Sequence, residues 1–512
     1  MFVGDTKLTQ VSEVNMPRLT FADEMFDGCT ELQGTVTVTA EPDALKDVQR
    51  MFRGCTKLSE VNFSNVPQNI TNTSSAFDGC SSLERVTTTT VDDDATTTLP
   101  LVIANDMFNG CSSLTEINLP MNVDERLTDC ERMFSGCEKI TNVDFLSGNV
   151  RPVNVKGMFR NCKSLISLDD NIIGFNKVRD DISETFYGCL ALTGDITINE
   201  GNSIKSAVRA FSYTENLNSV TFVDDDLSNL ISATEMFKKS NVNVTNLTQI
   251  VKSGLNNLIM ADSMFEDYKN LTTFITDGCA DIVAMNYMFA GNENLTTVVF
   301  NNTCDDVEEL EETFLNCTSL QTLTLSVPNV VKLINPFGGV TSLTDAEYLF
   351  SNHNSLLTVS GDYSSFNTAF GMFENCYSLQ TVQMKVTHLE TANSMFQGCS
   401  SLTSVDLDES DNIVDAPWMF DGCTSLTHFR GNLTNLDWAD DMFNGTKLDQ
   451  ESVEYIINQL RTKNTNAEDA PDMYVITIGV NVELQNTSFG QSLPQTVTTP
   501  YGGTWSLDIQ WN

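Results

Sequence analysis

The chain has 512 residues, 41% of them hydrophobic, with 69 acidic against 28 basic side chains and a formal charge of −41. That apolar fraction excludes a disordered acidic tail, and so acidic a surface repels nucleic acid and anionic lipid, so neither is expected as a partner. No apolar run approaches the roughly 18 residues of a membrane helix, so no membrane insertion is expected, and Met1–Leu8 lacks the basic patch and apolar stretch of a signal peptide.

Phenylalanine recurs from Phe2 through Phe26, Phe52 and Phe77 to Phe443, eighteen times in one register and most often 23 to 26 residues apart. With each Phe as position zero, Met precedes it in thirteen coils, Gly or Asn stands at +2 in fifteen, Cys at +3 in eleven and Leu at +6 in fifteen. Position −4 is apolar (Ala22, Val48, Ala104, Val155, Ile182, Ala392). Residues four apart share a helix face, so Ala-x-x-Met-Phe predicts a short helical turn, ended by the left-handed residue that Gly or Asn supplies. The run Leu114-Thr-Glu-Ile117-Asn-Leu119 then alternates as a half-buried strand does. One strand and one helical turn per coil predict an α/β fold: a right-handed leucine-rich-repeat solenoid of about eighteen coils over residues 1–448.

Two spacings are long. Phe77 to Phe108 spans 31 residues and holds Asp92–Asp94; Phe314 to Phe350 spans 36 and holds Asn335-Pro336-Phe337-Gly338-Gly339. Both read as surface insertions, and insertions in repeat proteins often line the binding face. The coil of Phe237 carries Ser240 and Asn243 where Cys and Leu are usual, which predicts a locally irregular core. After Phe443 the pattern stops. Asp449 can cap a helix whose apolar face is Val453, Ile456, Ile457 and Leu460. Strands follow at 474–480 and 505–511, so residues 449–512 read as a C-terminal cap. No comparable cap precedes Phe2, so a docking partner or neighbouring copy is expected on the N-terminal coil.

The runs Met395-Phe-Gln-Gly-Cys399-Ser-Ser-Leu402-Thr-Ser-Val405 and Met419-Phe-Asp-Gly-Cys423-Thr-Ser-Leu426 resemble the BspA-like leucine-rich-repeat surface proteins of bacteria. The resemblance spans about residues 1–448 and implies adhesion or recognition of host or extracellular components, at a bacterial cell surface. Similar arrays occur in bacteriophage structural proteins, so display on a virion is expected equally with a bacterial surface, and a purely structural part in a large assembly is the alternative.

The fourteen cysteines fall mostly at +3, with Cys130 at −4 and Cys279 and Cys304 elsewhere. Coils stacked about 4.8 Å apart hold β-carbons farther apart than the roughly 3.8 Å of a disulfide, so reduced, buried thiols are expected. No C-x-x-C pair occurs, and His353, His388 and His428 lie in no metal or nucleophile motif. No enzyme activity, cofactor or metal is expected. The acidic triplets Asp92–Asp94 and Asp224–Asp226 lack calcium-loop spacing and read as solvated loops, and Asn246-Leu-Thr248 is a sequon of a Thr- and Asn-rich repeat. The polar slots of the strand segment offer rows of short hydrogen-bonding groups: Thr115, Glu116 and Asn118; Thr141, Asn142 and Asp144; Thr403, Ser404 and Asp406. Such rows suit a protein or glycan receptor. Aromatic anchors concentrate binding energy, and Trp418 and Trp438 are the candidates here.

Overall fold

The computed structural model describes residues 1–41, 44–64, 69–88, 98–99, 101–118, 122–123, 126–143, 152–168, 177–199, 201–223, 226–253, 255–462, 474–498 and 504–512. The chain divides into two compact units, Met1–Leu258 with Tyr268–Asn270, and Ile259–Asp267 with Leu271–Asn512. The fold is a parallel β-solenoid of the leucine-rich-repeat type with about 16 turns and few helices. The coils of Phe134 and Phe159 show no strand following the Phe among their described residues, so paired strands mark fewer coils than the Phe repeat does.

In the first unit, strands β1 (Glu13–Asn15), β2 (Gly34–Thr39), β3 (Leu58–Phe63), β4 (Arg85–Thr88) and β5 (Glu116–Asn118) pair in sequence order as one parallel sheet. Further on, β6 (Asp195–Ile198), β7 (Ser219–Phe222) and β8 (Asn243–Val244) form a second sheet, followed by helix α1 (Leu247–Ser253). The phenylalanines from Phe2 to Phe237 lie ring on ring, with centroids 5.2–6.1 Å apart. Phe77 and Phe108 are 5.3 Å apart and parallel within 2°, so their long spacing leaves the ladder intact. The coil of Phe237 is irregular, as expected. Buried Ser240 meets the Thr214 hydroxyl at 2.9 Å, and Asn243 at +6 pairs with Ser219 at +8.

The Ala-x-x-Met-Phe segment, read in sequence as a helical turn, is a run of i→i−3 turns. Met25 N–H donates to Ala22 O at 3.3 Å and Cys29 N–H to Phe26 O at 3.1 Å. The alternate amides leave the coil: Glu24, Phe26 and Gly28 donate to Gln49, Met51 and Arg53 of the next. A helix would consume those amides within one coil, whereas the solenoid needs them to bond between coils. The alternation puts positions −2 and +2 into left-handed backbone, as at Arg50 (φ +53°) and Gly54 (φ +72°). Glycine suits the second site because it adopts positive φ without strain.

The cysteines at +3 have a shared role. Each donates its thiol to the carbonyl of the Phe one coil back, as Cys55 does to Phe26 at 3.2 Å and Cys423 to Phe396 at 3.1 Å. All fourteen cysteines are buried and free.

The second unit contains β9 (Thr273–Thr276), β10 (Thr297–Phe300), β11 (Glu309–Glu311), β12 (Thr322–Thr324), β13 (Lys332–Ile334), β14 (Thr358–Asp362), β15 (Thr381–Lys385), β16 (Ser404–Asp408), β17 (His428–Gly431) and β18 (Ala439–Leu448). Here the structure corrects the expected insertion between Phe314 and Phe350. Phe337 stacks on Phe314 at 5.7 Å and 5°, and Gly339 takes the left-handed +2 position at φ +71°. Residues 315–337 are therefore a full coil, and Phe350 follows 13 residues later, about half a coil. The sheet records the slip. Strand β13, which precedes Phe337, pairs on one side with β11, which precedes Phe314. On its other side it pairs with β14, which follows Phe350. From Phe350 onward, strands that follow the Phe occupy the column previously held by residues that precede it. Gly361 permits the changeover: a β-carbon there would lie 2.3 Å from Asn335 Cα.

After β18, Asp449 accepts the Ser452 N–H at 2.8 Å and caps helix α2 (Gln450–Arg461), with Val453, Ile456, Ile457 and Leu460 buried. Strand β19 (Tyr474–Val480) pairs parallel with β18 and with β21 (Thr504–Trp511), and β20 (Thr496–Thr498) closes antiparallel on β21.

Candidate ligand-binding face

Strands β14 to β17 pair in strict register, so each offset from the Phe forms a straight row. Val359, Val382, Val405 and Phe429 point inward and are buried. The residues on either side point outward. Thr358, Thr381, Ser404 and His428 make one row, and Ser360, Gln383, Asp406 and Arg430 the next. All of these but Arg430 line an open groove of about 370 Å³, together with Val359, Val382 and Val405. Short hydroxyls and amides dominate it, and such side chains lose little entropy when a ligand orders them.

Charge borders the groove. The Thr387 hydroxyl, and Lys385 at 3.0 Å, hold the Glu409 carboxyl below its ordinary range. Arg430 pairs with Glu451 and lies over the Tyr455 ring at 4.8 Å, and His428 Nδ1 is 3.7 Å from Asp449.

Ser404 and Asp406 of the expected set therefore belong to one face. Thr403 stands beside them at +7, and its hydroxyl donates to Gln380 O at 2.9 Å. Thr427, Thr296 and Thr115 do the same in their coils. The +7 threonines thus tie coil to coil and present less free hydrogen-bonding capacity than sequence implied. In the first unit Glu116 and Asn118 lie in matching rows, Thr35–Glu60–Arg85–Glu116 and Thr37–Asn62–Thr87–Asn118. Arg85, 3.3 Å from Glu60, holds that carboxyl below its usual range. Thr141 and Asn142 are exposed one coil later, outside any strand, and Asp144 lies outside the described residues. Trp418 and Trp438 are on neither face. They sit at −2 and −5 of their coils, in the column of isolated bridges Asp345, Thr368, Thr391, Asp415 and Trp438, with rings 6.2 Å apart.

Sequence reasoning passed over Ser360, Gln383, His428 and Arg430. The signal was present: each stands at the same +8 or +10 offset as Ser404 and Asp406. Asp92–Asp94 and the first two residues of Asp224–Asp226 lie outside the described residues, and among the described residues no group of three or more His, Cys, Asp or Glu is placed to hold a metal ion. No described helix is long and apolar enough to cross a membrane.

Similar solved structures include a leucine-rich repeat protein from Bacteroides ovatus, 16% identical at a TM-score of 0.28, covering 92% of this chain and 91% of its own. A leucine-rich cell surface protein from Faecalibacterium prausnitzii is 14% identical at 0.23, covering 82% and 83%. A leucine-rich repeat protein from Eubacterium ventriosum is 13% identical at 0.18, covering 76% and 83%. No curated protein matches the sequence. The BspA type leucine-rich repeat region, however, matches in 6 copies over residues 5–98, 95–171, 181–321 and 344–464, which hold most of the stacked coils. The chain belongs to the BspA-type leucine-rich-repeat family.

Proposed function

We propose that the protein is a non-enzymatic recognition or adhesion protein displayed at a bacterial cell surface, which binds a protein or glycan receptor on the outward rows of its parallel sheets. In this reading residues 1–448 are the presenting array and 449–512 the cap that covers its last coil. The observation that carries it is the groove over β14–β17, where Thr358, Ser360, Thr381, Gln383, Ser404 and Asp406 stand in register with few structural duties of their own. A periodic row of donors and acceptors matches ligands that repeat, such as glycan chains or extended polypeptide.

The test uses fluorescent beads coated with the full chain, exposed to a glycan array and to immobilised extracellular-matrix proteins. Beads bearing the triple variant Thr381→Arg, Gln383→Arg, Ser404→Arg are expected to lose at least about tenfold in retention, because bulky cations fill the groove. Equal retention by the variant, or no retention of the original chain on any surface, would refute the reading.

A further inference from the structure

The bridge column, at positions −5 to −2 of each coil, differs between the two units. In the first unit it carries cations, each salt-bridged to the neighbouring coil. Arg50 pairs with Glu24 at 2.8 Å, Arg132 with Asp106 at 2.7 Å, Lys156 with Asp181 at 2.9 Å and Arg209 with Glu235 at 2.7 Å. In the second unit the same positions, from the coil of Phe350 to that of Phe443, read Asp345-Ala-Glu-Tyr348, Thr368-Ala-Phe-Gly371, Thr391-Ala-Asn-Ser394, Asp415-Ala-Pro-Trp418 and Trp438-Ala-Asp-Asp441. They contain no Lys, Arg or His. Aromatic rings and carboxylates occupy these offsets instead.

The rings form two pairs. Tyr348 meets Phe370 at 5.2 Å and 80°, and Trp418 meets Trp438 at 6.2 Å and 67°. Tyr348, Trp418 and Trp438 are 46%, 38% and 45% exposed, unlike the ladder phenylalanines. Each pair has carboxylates beside it: Asp345 and Glu347 at the first, Asp415 and Asp440 at the second. Asp440 accepts the Trp438 indole N–H at 2.9 Å and so orients the ring. No salt bridge reaches these four carboxylates among the described residues. Burial and the charge of Asp437 push the Asp415 carboxyl up, as expected of a carboxylate in acidic surroundings. The wider charge agrees: residues 259–512 hold 34 acidic against 7 basic side chains, residues 1–258 hold 35 against 21.

We infer that this column is a docking surface for an extended basic polypeptide, whose arginine or lysine side chains seat on the Trp418–Trp438 and Tyr348–Phe370 pairs. A cation over an aromatic face with a carboxylate at its rim gains from both. The two seats are two coils apart between Phe370 and Trp418, on the order of 10 Å at the spacing of paired strands. An extended chain covers that distance in about three residues, so basic side chains three apart match the seats. The site shares with the proposed function the premise of a recognition protein, but uses a different side of the coil.

The experiment titrates the full chain with a synthetic peptide containing Arg-Gly-Ser-Arg, at physiological salt, reading tryptophan fluorescence and heat. Trp418→Ala with Trp438→Ala leaves net charge unchanged and removes two exposed rings. It is expected to weaken binding at least about tenfold with an unaltered melting temperature. The peptide with both arginines replaced by glutamine is expected not to bind, and the groove variant Thr381→Arg, Gln383→Arg, Ser404→Arg is expected to bind as the original does. Equal affinity of the double Trp variant would mean bulk charge attraction and would overturn the inference. Equal binding of the glutamine peptide, or displacement of the arginine peptide by a neutral oligosaccharide that quenches the same tryptophans more strongly, would overturn it too.

Discussion

At the residue scale the most informative position is the cysteine at +3. Its thiol is small enough for the packed interior and still offers a proton to the Phe carbonyl one coil back. At one position without the cysteine another donor makes the same bond: Asn292 donates to Phe265 O at 2.6 Å, whereas Thr446 turns to Phe443 O of its own coil at 2.8 Å. Burial pushes the thiols of Cys55 and Cys189 up to about 12, so little of their thiolate exists near neutral pH, and thiolate is the reactive species. The folded protein at pH 8 should therefore be labelled by iodoacetamide only at the rate of unfolding, and the denatured, unreduced protein should yield all fourteen thiols. Rapid labelling of several cysteines in the native state, or recovery of only a few after denaturation, would contradict both the burial and the free state.

At the scale of the element, the half-coil between Phe337 and Phe350 sets which side of the coil displays the rows that line the groove. The changeover depends on one close approach, at Gly361, where the backbone sits at φ +124° and a β-carbon would meet Asn335 Cα at 2.3 Å. Gly194 is the natural control, with φ +90° and nothing within 4 Å of a built β-carbon. Gly361→Ala should lower stability by about 3 kcal/mol or more, since strain adds to a backbone clash, while Gly194→Ala should cost about 1 kcal/mol. Chemical denaturation followed by circular dichroism measures both. Equal, small losses would mean that β14 can move away from β13 freely.

For the whole molecule, charge opposes folding. A net charge of −41 makes the compact state repel itself, and only some acidic groups are paired. Burial and neighbouring carboxylates raise Asp23, and burial raises Asp78; Asp181, paired with Lys156, and Glu235, paired with Arg209, are lowered. The signs separate. Carboxyls raised in the fold stabilise it when protonated, so their contribution grows as pH falls toward the ordinary value of 3.8. Lowered carboxyls contribute above their ordinary values and lose that as pH falls through the folded ones. The melting temperature should therefore rise from pH 8 toward pH 5, then fall in stronger acid. It should also rise on adding 0.5 M salt at pH 8, on the order of a few degrees, because screening relieves repulsion more than it weakens surface pairs. A fall with salt would show that the ion-pair ladders outweigh the net charge.

The coil itself was legible in sequence, because its period is dictated by local chemistry that every repeat restates. A Phe and a Leu must be buried, a Gly or Asn must turn the chain, and polar residues must alternate with apolar ones on the strand. The cap helix was legible for the same reason, from Asp449 and the spacing of Val453, Ile456, Ile457 and Leu460. Three features were decided by tertiary structure alone. The Met-Phe segment became stacked turns because its amides bond to the next coil, a partner that a helical reading of one segment does not include. Phe337 became a ladder residue because its neighbour is Phe314 in space, although Met-Phe and Cys are absent around it. Ser404 and Trp418, fourteen residues apart, fell on different sides of the coil, because which residues share a face depends on how each coil registers against the ones beside it.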